Sequence, residues 1–430
     1  MSASTLRVPT DEADSAPWGA IAFVAALAVA WITVQPFPDL SAADALDLDS
    51  GRAALTYFAF ALCAAVCLYL AISTDSRVLQ RLANPAYISL AGWVALSSLT
   101  SQDVATSLKH AAICAFVVIV AATLPLLPRG RVHLANLLAC SAGALLALSY
   151  YGVFFMPYYA VHQASDLVEP ALAGDWRGVF SHKNDASAMF VLTAFIGIYV
   201  ARAAHRTIGV VITGLSLLFV VFSNGKTANM LWLPTLAISM FVGGGGGGLL
   251  WRAAALAPFV ALHALGVGGV MFAPLGSFVA SLPLDATFTG RTEIWGYALG
   301  MLGGHPFLGY GFDAFWNTSL VRFGTDGETA WVGGAAHGHN CFIDVAMSMG
   351  VPGVALALWA FVVQPFVDIG RAARLGADKA LLTLLTQIWL FGLYISPLES
   401  FLFDRSDPIW FTFLFATFGL RYISSFRTSP

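Results

Sequence analysis

Two histidines stand close together at the start of a long apolar run, in the segment Ala336-His337-Gly338-His339-Asn340. Imidazole has a pKa of about 6.5, so at neutral pH it is largely unprotonated and can take a proton from a hydroxyl group. His339 is therefore a candidate general base, and the side chain of Asn340 or Asp344 could orient its ring. Two alternatives stay open. His337 and His339 could bind a metal ion, although no third ligand is evident, or they could serve only to begin a helix.

Basic side chains also occur at the ends of apolar runs, where they could gather around an anion. A guanidinium group offers two donors to phosphate oxygens, and an ammonium group adds a point charge. Together they would bind a diphosphate; alternatively, each one anchors its helix at a membrane surface or pairs with a nearby acid. The candidates are Arg177, Lys183, Lys226, Arg291 and Arg405. His182, which precedes Lys183, is a weaker candidate for acid–base chemistry.

The segment 305–316 is rich in aromatic residues and glycine. Aromatic faces stack on sugar rings, and glycine allows the backbone to approach a ligand closely. Tyr310, Phe312 and Trp316 are therefore candidates for glycan binding, although they could equally pack onto a membrane surface. Acidic residues of the polar loops, such as Glu169, could bind hydroxyl-rich substrates or be solvated loop charges.

The composition indicates which elements hold these residues. Of 430 residues, 58% are hydrophobic and 10% are charged, and the mean hydropathy is +0.76. Soluble domains carry roughly 25% charged residues. The sequence therefore predicts an all-α polytopic membrane protein, and we expect no nucleic-acid partner.

Twelve apolar runs have the length of a transmembrane helix, or nearly so. An even number places both termini on the same side of the membrane. The runs lie at about 18–35, 53–72, 86–100, 104–127, 132–156, 184–204, 207–222, 227–242, 249–272, 341–366, 380–398 and 408–424.

The basic residues predict the orientation. If the N-terminus is cytoplasmic, the inner segments hold 13 of the 21 Lys and Arg residues, as the positive-inside rule requires. The chain then divides into a cytoplasmic tail (1–17), helices 1–9 (18–272, with an outer loop at 157–183), a long outer loop (273–340), helices 10–12 (341–424) and a second cytoplasmic tail (425–430).

The long outer loop contains an amphipathic pattern. Ile294, Trp295 and Ala298, followed by Leu299 and Leu302, recur at helical spacing. The pattern predicts a short helix on the outer surface, which ends at Gly303-Gly304. Thr289 is the expected N-cap.

These features resemble the bacterial O-antigen ligase and O-antigen polymerase superfamily. The resemblance rests on the span number, on 290–295 (Gly-Arg-Thr-Glu-Ile-Trp), on 306–311 (Pro-Phe-Leu-Gly-Tyr-Gly) and on His339-Asn340 followed after nine residues by Gly350 and Gly353. The segments 178–184 (Gly-Val-Phe-Ser-His-Lys-Asn) and 223–227 (Ser-Asn-Gly-Lys-Thr) resemble its exopolysaccharide-polymerase branch. The resemblance covers roughly residues 170–365 well, and the rest by topology.

The resemblance implies a fold, a reaction and partners. The fold is the GT-C type in the bacterial inner membrane, with both termini cytoplasmic and the active site periplasmic. The reaction is an inverting glycosyl transfer without a metal or other cofactor. The donor is a glycan on undecaprenyl diphosphate, and the acceptor is a glycan or the lipid A core. The surroundings would include membrane lipid and, as protein partners, polysaccharide export or chain-length proteins.

The resemblance also implies roles for residues. The essential histidine of the superfamily corresponds to His339, and its diphosphate-binding residues correspond to Arg177 and Arg291, with Lys183 and Lys226 less closely matched. Ligases often have a leucine four residues after an outer-loop arginine, whereas Arg177 is followed there by Ser181. This favours a polymerase over a ligase that acts on lipid A core. A transporter of lipid-linked sugar remains the alternative from another class.

Overall fold

The computed structural model describes residues 17–34, 36–41, 52–74, 84–167, 169–243, 248–283, 285–316, 318, 321, 334–404 and 407–425. Both predicted tails lie almost wholly outside these ranges. Within them the regular structure is helical throughout, and the β-structure is one isolated antiparallel bridge between Val161 and Trp176.

The described residues form eighteen α-helices. They are α1 (Trp18–Trp31), α2 (Arg52–Thr74), α3 (Pro85–Leu99), α4 (Val104–Thr123), α5 (Arg131–Phe155), α6 (Pro157–Ala160), α7 (Lys183–Ala203), α8 (Arg206–Ser223), α9 (Lys226–Phe241), α10 (Leu249–Ala254), α11 (Ala257–Leu265), α12 (Val267–Met271), α13 (Ala273–Ser281), α14 (Arg291–Leu302), α15 (Cys341–Leu358), α16 (Gln364–Leu375), α17 (Lys379–Ile395) and α18 (Pro408–Ser425). Short 3₁₀ turns follow at Leu124–Leu126 and Pro170–Leu172, and a π-helical turn at Trp359–Val363 joins α15 to α16.

Every predicted apolar run coincides with helix, although some are interrupted. The run predicted at 249–272 consists of α10, α11 and α12, because Pro258 lies in the first turn of α11 and Gly266 separates α11 from α12. Proline lacks the N–H that a continuous helix needs, so a helix breaks or kinks where it occurs.

The helices identify a polytopic all-α membrane protein. Among the described residues, seven helical segments are long and apolar enough to cross a membrane, and three shorter helices, α1, α3 and α17, are also apolar. The predicted number of twelve spans stays a prediction. The seven are Ala54–Ser73, Val104–Leu126, Arg131–Phe155, Lys183–Ala203, Arg206–Ser223, Leu249–Met271 and Cys341–Leu375.

Helices α7, α17 and α18 form the centre of the bundle. Almost all of their side chains are buried, whereas α2 and α8 leave many large apolar side chains exposed. Glycines bring α7 and α8 close together, since a Cβ on Gly209 would collide with the backbone of Ala201. This close contact lies beside the turn that joins α7 to α8, at the opposite end of α7 from the loop 157–183.

Residues that the sequence assigns to the inner side lie together at one end of the bundle. Arg131 pairs with Asp378 at 3.0 Å, and the buried Asp368 accepts hydrogen bonds from Arg421 at 3.2 Å and Ser424 at 2.8 Å. The histidine segment lies near the opposite ends of the helices. Which end faces the cytoplasm stays a prediction.

The predicted amphipathic helix is α14, and its beginning differs from the expectation. Gly290, in the left-handed conformation, is the N-cap, and Thr289 is not. Asp285 orders the turn before it by accepting hydrogen bonds from the N–H groups of Thr287 (3.0 Å) and Thr289 (2.8 Å). The prediction of Thr289 failed because this turn holds Thr289 in a left-handed conformation, with φ 62°, whereas an N-cap residue has an extended backbone.

Helix α14 is also not confined to the surface. Ile294, Trp295 and Ala298 are buried, and Trp295 Nε1 donates to the carbonyl of Gly338 at 2.9 Å. The helix therefore supports the histidine segment directly. Among the described residues of the predicted outer loop 273–340, α13 is a further helix that the sequence pattern did not reveal.

A break in α15 joins two of the recognised motifs. Gly350 has φ 68° and ψ −175°, a conformation that is essentially restricted to glycine. The three carbonyls before it accept other hydrogen bonds, namely Met347 O from Tyr310 N–H (2.7 Å), Ser348 O from Ser97 Oγ (2.6 Å) and Met349 O from Trp93 Nε1 (2.9 Å). Val351 N–H donates to Pro306 O at 2.8 Å. The segment 306–311 therefore packs against the break and fixes the half of α15 that begins at Cys341.

Candidate active site

Asn340 begins α15 and acts as its cap. Its Oδ1 accepts hydrogen bonds from the N–H groups of Phe342 (3.0 Å) and Ile343 (3.1 Å), and its Nδ2 donates to Pro397 O (3.0 Å). An asparagine at this position satisfies N–H groups that the helix leaves free. Its side chain is occupied in this way, so it does not orient the His339 ring as expected.

Asp344 holds the backbone that precedes His339. The carboxylate accepts hydrogen bonds from Gly338 N–H (2.8 Å), from Trp316 Nε1 (2.7 Å) and from the Ser400 hydroxyl. It therefore fixes the segment that carries His339, and it leaves the orientation of the imidazole to another group. Trp316, a predicted glycan-binding residue, is brought to the site by the same carboxylate.

His339 adopts a strained backbone conformation. Its φ is 47°, which is uncommon for a residue other than glycine and tends to occur at functional sites. Its N–H donates to His337 Nδ1 at 3.3 Å, and the two ring centroids lie 4.2 Å apart. Burial, and then the neighbouring His339, lower the pKa of His337 to about 3. His337 is therefore neutral at neutral pH and helps to hold the left-handed turn.

Glu399 is the acidic group nearest to the His339 ring. Its Oε2 lies 4.0 Å from His339 Nδ1, and its Oε1 accepts hydrogen bonds from Thr227 Oγ1 at 3.0 Å and Arg291 Nη2 at 3.3 Å. Burial raises the pKa of this carboxyl, but His339 and Arg291 outweigh burial and the net pKa is lower than usual. Glu399 is therefore ionised at neutral pH.

The sequence analysis did not identify Glu399. It stands in a short connection between α17 and α18, about sixty residues after His339, without a motif around it. Its one visible signal is the polar pair Glu399-Ser400, which stands shortly after the largely apolar α17. Glu399 faces a small cavity of about 10 Å³ that Asn184, Gly225 and Thr227 also line.

The structure brings together some of the predicted basic residues and separates others. Arg291 contacts Glu399 directly. Lys226 begins α9 next to Thr227 and is exposed. Lys183 instead pairs with Asp175 at 2.6 Å. Arg405 lies outside the described residues.

Arg177 is bound to the protein backbone. Its Nη1 donates to Phe180 O at 3.0 Å and its Nη2 to Pro38 O at 2.8 Å, and the residue is 1% exposed. Burial lowers the pKa of the guanidinium to about 10, which leaves it charged at neutral pH. In this conformation both Nη groups donate to carbonyls, so the predicted diphosphate contact stays a prediction without geometric support.

Two of the predicted glycan-binding aromatics are packed inside the protein. Tyr310 contacts Phe315 at a centroid distance of 4.8 Å and donates its hydroxyl to Met301 O at 2.9 Å. Phe312 is 2% exposed and meets Phe403 edge-on. Their ring faces are not open to a sugar in this structure, and their binding role stays untested.

A second histidine and carboxylate lie beside this centre. His182 Nε2 is 2.7 Å from Glu169 Oε2. The pKa of Glu169 is lowered, chiefly by its hydrogen bond with His182 and in smaller part by the charge of His339. The loop 157–183 therefore contributes to the same end of the molecule as His339. Among the described residues no group of three or more His, Cys, Asp or Glu side chains is placed to hold a metal ion; the expected independence from metal stays a prediction.

Comparisons with known proteins give one partial similarity. The chain resembles an exopolysaccharide production protein. The relative is ExoQ of Rhizobium meliloti (strain 1021), which is 30% identical over 125 residues. The match covers 29% of this chain and 28% of the length of ExoQ. No protein-family model matches the chain.

Proposed function

We propose that the protein transfers a glycan from an undecaprenyl-diphosphate carrier to a sugar hydroxyl, and so polymerises the repeat units of an exopolysaccharide. The reaction would be metal-independent, would invert the anomeric carbon, and would take place on the periplasmic side of the bacterial inner membrane. One arrangement carries the proposal. Glu399 connects a candidate base, His339, to a candidate anion-binding cation, Arg291, at the end of a membrane bundle.

The arrangement is suited to moving one proton and one leaving group. The acceptor hydroxyl oxygen forms a bond to the anomeric carbon while the bond from that carbon to the diphosphate oxygen breaks. The electron pair leaves with the diphosphate. The hydroxyl proton goes to Nε2 of His339, because Nδ1 is the nitrogen that faces Glu399. A carboxylate behind the ring stabilises the imidazolium that forms.

Arg291 would meet the charge that grows on the leaving diphosphate. Fixed cations that face a developing negative charge stabilise the transition state more than the ground state. Lys226 and the N-terminus of α9, which has no side-chain cap, offer further positive character next to Thr227. In this arrangement Glu399 is a positioning residue, because it acts through His339 and Arg291.

The distance of 4.0 Å between His339 and Glu399 is longer than a hydrogen bond. Catalytic hydrogen bonds are often long without substrate and shorten in the complex. A modest rotation of the imidazole would close the gap. His339 Nδ1 is buried and has no hydrogen-bond partner among the described residues, so its nearest acceptor is this carboxylate.

The similarity to ExoQ supports a role in exopolysaccharide production. A ligase that transfers glycan to lipid A core differs from a polymerase in its acceptor, and no contact described above favours it. A transporter of lipid-linked sugar would have no use for the strained His339 beside a carboxylate.

The deciding experiment uses the native bacterium. The gene is deleted and complemented with wild type or His339→Ala, and polysaccharide, lipopolysaccharide and carrier-linked glycan are separated by size. We expect His339→Ala to insert normally and to abolish long secreted polymer, with single repeat units left on the carrier and lipopolysaccharide unchanged. Normal polymer from His339→Ala would refute the mechanism. Long chains stranded on the carrier, with lipopolysaccharide lacking them, would indicate the ligase.

A further inference from the structure

The loop 157–183 contains two histidine–carboxylate pairs that the proposed transfer does not use. In the outer pair, His182 Nε2 is 2.7 Å from Glu169 Oε2. In the inner pair, His162 Nδ1 is 3.0 Å from Asp166 Oδ2. The two imidazole rings are 5.5 Å apart. The start of α7, which lies beside them, does not require two such pairs in contact.

The backbone at the start of α7 fixes the tautomers of both rings. Asn184 N–H donates to His182 Nδ1 at 3.1 Å, and Lys183 N–H donates to His162 Nε2 at 3.2 Å. Each ring therefore carries its proton on the other nitrogen and donates it to its carboxylate. The Glu169 side chain is consequently held through His182 in one orientation.

The two pairs differ in their access to solvent. The side chains of His162 and Asp166 are 2% and 6% exposed, whereas those of His182 and Glu169 are 30% and 50% exposed. The inner pair is therefore a support for the outer one. Glu169 uses Oε2 for His182, and its side chain is half exposed, so Oε1 is accessible to hydrogen-bond donors of a ligand.

The charges around the site indicate which part of a substrate would meet this oxygen. Arg291 and Lys226 form the cationic part, suited to a diphosphate. Glu169 is anionic and would repel a diphosphate, but a carboxylate is a good acceptor for sugar hydroxyls. Asn184, whose N–H donates to His182, lines the same small cavity as Glu399, so a sugar held by Glu169 would be near the proposed base.

We propose that Glu169, held by His182, binds hydroxyl groups of the acceptor sugar and determines which acceptor is used. This rests on the proposed glycosyl transfer. An acceptor that lacks the contacted hydroxyl would leave the carboxylate without its partner in the complex. Sites built to bind a hydroxyl discriminate strongly against analogues that lack it.

The test uses the full-length protein in nanodiscs. Repeat-unit oligosaccharide from the exopolysaccharide of the native bacterium is the acceptor, and the same oligosaccharide on undecaprenyl diphosphate is the donor. Binding of the lipid-free oligosaccharide is also measured by equilibrium dialysis, which does not depend on turnover. For Glu169→Gln we expect the acceptor KM and Kd to rise about tenfold or more, with the donor KM unchanged and kcat within about threefold of wild type.

Asp313→Asn is the matched control. Asp313 also pairs with a histidine, His110, at 2.7 Å, and its side chain is 53% exposed, close to the value of Glu169. We expect the control to leave both KM values unchanged. The inference is overturned if Glu169→Gln leaves acceptor KM and Kd unchanged, or if Asp313→Asn raises them equally. If wild type binds the oligosaccharide through Glu169 but does not transfer it, the proposed function fails and the binding site stands.

Discussion

Glu399 contacts side chains from two separate segments and lies within 4.0 Å of a third, so its charge holds the candidate site together. A neutral amide at this position would keep the shape and the Thr227 hydrogen bond, but it would lose the attraction to Arg291 and to a protonated His339. Positioned acid–base groups contribute about 10²- to 10⁴-fold to a rate.

We therefore expect Glu399→Gln to lower kcat about 10²-fold or more, with the donor KM changed much less. Thr227→Val is the control, because it removes one hydrogen bond to Glu399 but keeps the carboxylate charge, and we expect it to cost less in rate than Glu399→Gln. Purified protein in nanodiscs gives both constants. Equal losses in the two variants would show that the carboxylate charge has no special role.

Arg291 and Arg177 have different environments, so we expect replacement of Arg291 to affect activity and replacement of Arg177 to affect stability. Arg291→Ala should leave the melting temperature in detergent nearly unchanged and slow transfer about 10²- to 10³-fold. Arg177→Ala should leave the carbonyls of Phe180 and Pro38 without donors and destabilise the fold by about 1–3 kcal/mol. A stable but inactive Arg177→Ala protein would instead support the diphosphate role that the resemblance implies.

At the residue scale the sequence predicted which residues lie together better than it predicted their contacts. The histidine segment and Arg291 do lie together, because both flank apolar runs at the same end of the bundle. Asn340 and Tyr310 were assigned to ligands or catalysis, but the structure uses Asn340 as a helix cap and Tyr310 in a hydrophobic core. Glu399 was not predicted because the residues that it contacts are distant in the sequence, and a single sequence does not reveal contacts between distant residues.

At the scale of elements, the break at Gly350 explains why the motif at 306–311 and the motif that contains Gly350 occur in the same chain. The break exposes carbonyls inside a helix that crosses the membrane, where unsatisfied polar groups are costly. Segment 306–311 and side chains of α3 supply the missing donors. The sequence predicted both motifs. It did not predict their contact, because the contact depends on the φ of 68° at Gly350, which is a property of the folded backbone.

Gly350→Ala should therefore destabilise the protein. Any side chain at this φ and ψ is strained by about 1–3 kcal/mol, and the new Cβ would also collide with the carbonyl of Phe307. Gly143→Ala is the control, because Gly143 lies in α5 with open space around its Cβ position and with no left-handed backbone. Thermal unfolding in detergent should show a clear loss for the first variant and no loss, or a small gain, for the second. Equal melting temperatures would mean that the break is not held by glycine.

At the scale of the whole molecule, hydrophobic runs predicted the helices well. A long apolar run has few alternatives to a helix in a membrane, because each backbone polar group must be satisfied within the segment. The interruption of the run 249–272 and the extra helix α13 were harder to predict, since both occur where proline and glycine are frequent. The direction of insertion depends on loop charges and needs its own measurement.

The orientation is testable at two exposed residues on either side of α4. Gln102 precedes the helix at the end that holds the candidate site, where its N–H donates to Tyr310 O, and Arg129 follows the other end. In a variant whose five native cysteines are replaced by serine or alanine, Gln102→Cys should react with a membrane-impermeant maleimide in intact spheroplasts. Arg129→Cys should react only after permeabilisation, because the positive-inside rule places it in the cytoplasm. The opposite pattern would put His339 in the cytoplasm, where a carrier-linked glycan already exported across the membrane could not reach it, and the proposed transfer would have to be abandoned.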